Sequence, residues 1–124
     1  MKSRSLLFFL ALAVATTTGF AQAGKAKETV LIGRVTDMKC YLNGMAESMP
    51  EHKQCAVDCI KGGLPVGLVE DKTAKVYVVV PEKGMKGANE ELVKFADEKV
   101  KLTGSMKEKG GTKVFFYSKV EEAK

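Results

Sequence analysis

Apolar and polar residues alternate along much of the chain with the two-residue period of half-buried strands, and the breaks in that alternation mark the other elements. Thr29-Val30-Leu31-Ile32-Gly33-Arg34-Val35 reads as a first strand, with Gly33 as a bulge or bend inside it. Leu64 to Val69 reads as a second, and Lys75 to Val80, rich in β-branched residues, as a third. Val100 to Met106 alternates as a fourth around Gly104. Lys109-Gly110-Gly111-Thr112 is a hairpin turn into a fifth, Lys113 to Val120. Two segments leave the strand period. One predicts a helix from Pro50, a residue suited to a first helical position, to about Lys61, with Ser48 or Met49 before it as cap and Gly62-Gly63 stopping it. The other predicts a helix capped by Asn89, whose Leu92, Phe95 and Ala96 share one face. Asp37 to Met49 and Pro81 to Gly87 read as loops, and Glu121 to Lys124 as a frayed tail.

The chain is therefore expected to be mainly β with two short helices. Five strands with a helix between the third and fourth is the element order of a five-stranded OB-like barrel, and glycines inside the first and fourth strands fall where a small barrel must coil. An open antiparallel sheet with helices on one side is the alternative. One domain is expected over 24–124, because residues 1–23 have the make-up of a cleavable signal peptide. Lys2 and Arg4 supply a positive start, Leu6 to Val14 a short apolar run, and Ala21-Gln22-Ala23 a cleavage signal. The run is roughly half the ~20 residues needed to span a bilayer. A periplasmic or secreted protein with no membrane attachment after cleavage follows. No cysteine sits near the cleavage point, which argues against a lipid anchor.

Charge excludes one class of partner. The whole chain carries 20 basic and 15 acidic residues; without Lys2 and Arg4, 18 basic residues remain against the same 15, a net charge of +3. That excess is spread out and forms no basic run, so no nucleic-acid footprint is expected. The strand aromatics Tyr77, Phe115, Phe116 and Tyr117 are expected to pack in the core and not to stack bases. Lys83, Gly84, Lys86 and Gly87 carry no phosphate-loop signature. Glu90-Glu91 sit where a helix dipole accounts for them. With one histidine and no activated serine, hydrolysis has no support, and an enzyme is not the expected reading.

The chemistry lies with three cysteines and that histidine. His52, Cys55 and Cys59 form H-x2-C-x3-C on the expected first helix and fall within a stripe about 60° wide at ~100° per residue. Cys55 and Cys59, one turn apart, present two sulfurs to one ion and make a poor disulfide, since their Cβ vectors run parallel. Cys40, reaching over from the preceding loop, would complete a set of three sulfurs and one imidazole, which suits tetrahedral zinc. Met38, Met45 and Met49 lie in the same loop, and thioethers beside thiolates favour Cu(I). Plainer readings stand beside this one. In an oxidising compartment Cys40 pairs with Cys55 or Cys59 as a structural disulfide, and His52 is exposed or caps its helix. A redox-active thiol is a further alternative, but it requires a lowered thiol pKa, and Cys55 lies more than a turn inside the helix. Asp37 is a turn former or orients a ligand.

The run Gly33-Arg34-Val35-Thr36-Asp37-Met38-Lys39-Cys40-Tyr41, then His52, Cys55 and Cys59, then Gly63 and Pro65, resembles a group of small exported bacterial proteins of unassigned function. They share a D-x-x-C … H-x2-C … C … G-x-P pattern. The resemblance covers most of the chain after residue 23 and implies an exported OB-like domain, without bringing an activity. The expected function is a small metal-binding module for zinc or copper, using Cys40, His52, Cys55 and Cys59, with an unknown periplasmic protein as partner. A structural or interaction domain held by a Cys40 disulfide, and a thiol redox protein, are the alternatives.

Overall fold

Val35, Thr36 and Asp37 are buried in succession where strict alternation would expose one of them, and that departure shows where the first strand leaves solvent. The strand, β1 (Thr29–Asp37), ends against a helical cap. The structure, a computed structural model, describes residues 27–49 and 51–124. The expected signal segment and Pro50 lie outside the described residues.

The remaining elements are α1 (Met38–Leu42), α2 (Met45–Ser48), α3 (His52–Lys61), β2 (Val66–Glu70), β3 (Val76–Pro81), α4 (Asn89–Leu92) with a 3-10 turn at Val93–Phe95, β4 (Lys99–Lys109) and β5 (Thr112–Glu122). The five strands close into a ring in the order β1-β2-β3-β5-β4. Four of the pairings are antiparallel, and β3 with β5 is parallel, so the sheet is mixed. The alternative of an open antiparallel sheet is thereby corrected: β4 returns to β1 and leaves no open side. Closure depends on backbone contact that only glycine permits. A Cβ at Gly33 would collide with the Val69 carbonyl, and one at Gly104 with the Phe116 carbonyl. The register shift falls at Thr103/Gly104 in the β4–β5 ladder, where the longest strands bend.

The ring is filled by Leu31, Val35, Leu68, Val79, Val100, Leu102 and Phe115, and Ala56 and Ile60 of α3 join the same core. Phe115 and Tyr117 are buried in the core and Tyr77 packs against it, as expected, whereas Phe116 is half-buried on the other face of β5, its ring centroid 5.9 Å from Lys107 Nζ. The helix α3 thus closes over β1, the 3-10 turn and α4.

Three local expectations are corrected. The segment expected as loop, Asp37 to Met49, contains α1 and α2, because the Asp37 carboxylate accepts from the Cys40 amide at 2.8 Å and starts a helix where a turn was expected. Asn89 does not cap α4. Its Nδ2 donates to the carbonyls of Ile60 at 2.8 Å and Leu64 at 2.7 Å, closing the far end of α3, while Ala88 occupies the cap position without a side-chain bond. The tail is not frayed at Glu121, since Glu121 and Glu122 pair with Lys101 and Val100.

Candidate metal centre

Asp37 is the last residue of β1 and is fully buried. One carboxylate oxygen caps α1; the other, Oδ2, has no hydrogen-bond partner. The cap fixes Cys40 in the first turn of α1, at 2% exposure. From there its sulfur meets α3: Cys40 Sγ lies 3.4 Å from Cys55 Sγ and 3.9 Å from Cys59 Sγ. A tetrahedral ion with metal–sulfur bonds of about 2.3 Å has sulfur–sulfur edges of about 3.8 Å. The three sulfurs are therefore close to the spacing that one ion demands. Both distances exceed the ~2.05 Å of a disulfide, and all three cysteines are free thiols, so the alternative in which Cys40 is bonded to Cys55 or Cys59 is not realised in this structure.

The surroundings of Cys40 and Cys59 favour the protonated thiol. Burial, followed by the neighbouring Cys55 and Cys59 thiols and the Asp37 carboxylate, pushes the Cys40 thiol up to about 12. Burial also raises Cys59, with the bond to Cys40 opposing and the Asp37 charge adding to the rise. This is the opposite of the lowered pKa that makes a thiol a good nucleophile.

His52 is neither exposed nor a cap. Its side chain is 3% exposed and sits between two carboxylates, with Nε2 3.6 Å from Asp37 Oδ2 and Nδ1 3.6 Å from Asp97 Oδ1. Both separations are longer than a hydrogen bond of 2.7 to 3.2 Å. All four atoms are buried without a hydrogen-bond partner. Two sets of donors able to hold a metal ion result, each with its ligand atoms within 4.8 Å of one another: Cys40, Cys55 and Cys59, and Asp37, Cys40 and His52. Cys40 belongs to both sets, and His52 belongs to the second.

Asp97 is the site residue that the sequence did not point to. Its backbone is held beside β1, where its amide donates to the Val35 carbonyl at 2.9 Å and the Val35 amide donates to the Glu98 carbonyl at 3.0 Å. It takes a left-handed φ of 60°, unusual for a residue with a side chain. Arg34 Nη1 stands 3.4 Å from the same Oδ1. Among the loop methionines, Met38 turns its sulfur onto Gly67 of β2, at 2.5 Å from where a Cβ there would stand. Met45 and Met49 are exposed. Glu91, read from the sequence as serving a helix dipole, also accepts a hydrogen bond from the Tyr117 hydroxyl at 2.8 Å. Among the described residues no helix is long and apolar enough to cross a membrane. Comparisons with protein-family models, with curated proteins and with solved structures find no match to this chain.

Proposed function

We propose that this protein is an exported, non-catalytic module that binds zinc or copper(I) through Cys40, Cys55 and Cys59. His52, beside Cys40, is available as a further ligand. The observation that carries the reading is the convergence of three free sulfurs from two helices. Their 3.4 and 3.9 Å spacings suit one ion and rule out a bond already formed between them. Raised thiol pKa values fit a site that waits protonated and exchanges its protons for a metal. The carrier is best described as an OB-type barrel, a reading supported by the ring order, the parallel β3–β5 pair and the helical turn between β3 and β4. The signal-like residues 1–23 favour the periplasm, where storage, delivery or sensing of a metal would bring a protein partner to supply or receive the ion.

The structural alternative has one observation in its favour: Cys40 and Cys55 need only a small approach to form a disulfide. A free-thiol count together with metal analysis on the exported protein separates the two. Three thiols released only on denaturation, with bound zinc or copper, are the expected result. One free thiol and no metal would replace metal binding with a structural disulfide.

A further inference from the structure

We infer that the pocket holds two ions joined by the Cys40 thiolate, one on Cys40, Cys55 and Cys59 and a second on Asp37, Cys40 and His52; the first ion rests on the function proposed above. The second set has the marks of a ligand site in its own right. Asp37 Oδ2 and His52 Nε2 are buried, face each other and lack partners. Buried polar atoms are rarely left in that condition without an ion or a water between them. Their 3.6 Å separation is too long for a charge-assisted hydrogen bond of about 2.7 to 2.9 Å, so a direct bond between the two side chains does not account for it. It does approach the edge of about 3.4 Å expected between nitrogen and oxygen ligands on one tetrahedral ion.

The far side of the ring agrees. A metal-binding histidine usually turns its other nitrogen to a carboxylate, which fixes the ring and raises its basicity. Asp97 Oδ1 faces Nδ1 from that side, also at 3.6 Å and unbonded, so an approach of about half an ångström on loading would complete that pairing and leave Nε2 for the ion. Asp97 is thus a positioning residue, held there by its backbone bonds to β1.

Charge points to two divalent ions. Loading converts three thiols to thiolates, each proton passing to solvent, and with the Asp37 carboxylate four negative charges are gathered on two buried groups, Asp37 and Cys40, and two partly buried ones, Cys55 and Cys59. One divalent ion would leave two of them uncompensated, at a cost that falls on the buried pair. Two divalent ions balance all four, and a borderline ion such as zinc suits both the all-sulfur and the mixed set.

The test is a zinc titration of the reduced protein read by native mass spectrometry, followed by cadmium NMR. The wild-type protein is expected to take up two zinc ions, and His52→Ala one. Asp37→Asn, which keeps the oxygen that caps α1, is also expected to take up one. Asp97→Asn is expected to weaken the second ion about 10–100-fold and leave the first unchanged. Two cadmium resonances that split one another through the shared sulfur would establish the bridge without any variant. Saturation of the wild type at one ion overturns the second site, and if His52→Ala still binds that ion the one-ion function stands. Two uncoupled resonances overturn the bridge. No uptake at all overturns both readings.

Discussion

Asp37 performs two tasks with one side chain: one oxygen starts a helix and the other faces the histidine. Position 40 therefore depends on position 37, and the geometry of the sulfurs is set before α3 contributes. Cys40 also gives the site its response to pH. A thiol raised to about 12 in the fold, against an ordinary value of 9.0, favours the folded state while it is protonated. That contribution is complete below pH 9 and disappears as pH rises from there towards 12. The melting temperature of the reduced, metal-free protein is expected to fall across this interval, and Cys40→Ser to flatten the fall. An equally steep alkaline loss in the variant would place its origin elsewhere. The thiol ligands were legible in the sequence because cysteine is rare and its helical spacing is regular. Asp97 was not, since only a backbone bridge between Val35 and Ala96, across distant parts of the chain, brings it to His52.

At the scale of elements, the alternation located every strand to within a few residues, because a face that packs against a core must repeat every second position. The short helices were less legible. Asp37 bonds locally, to the amide three residues on, where a turn and a helix cap look alike in sequence; Asn89 bonds to carbonyls more than twenty residues away, where local sequence favours a cap. This gives a substitution test. At a helix N-cap aspartate serves as well as asparagine, whereas the bonds to Ile60 and Leu64 require an amide donor. Asn89→Asp is expected to cost about 1–3 kcal/mol in urea unfolding, the penalty for part-buried carbonyls left without donors. Near-neutral behaviour would restore the capping role. The same loss is expected to reach the metal site weakly, because Asn89 holds the end of α3 opposite His52.

For the molecule as a whole, the donor groups come from three places: the end of β1, the first turn of α1 and one face of α3. An ion bound across them ties separate elements together and stabilises the fold by mass action. At free metal a hundred times its dissociation constant this amounts to about 2.7 kcal/mol. A melting temperature raised by roughly 10 °C or more is expected on loading at that excess, for a domain of about 100 residues. A chelator should reverse it. An unchanged melting temperature with the metal present would mean that the folded state does not bind the ion in preference to the unfolded one, against a preformed site. The closed order of the strands also decides how another protein can take hold. Where the ring is closed, each strand has a neighbour on both sides; among the described residues an incoming chain finds free backbone donors and acceptors only where the long strands run past it, as at Ser105–Lys109 of β4, which has β5 alone beside it. Around the cysteines, recognition must therefore be written in side chains. The exposed Leu42 of α1, Met45 of α2 and Met49 just after it supply apolar side chains for such a contact, on the segment that carries Cys40.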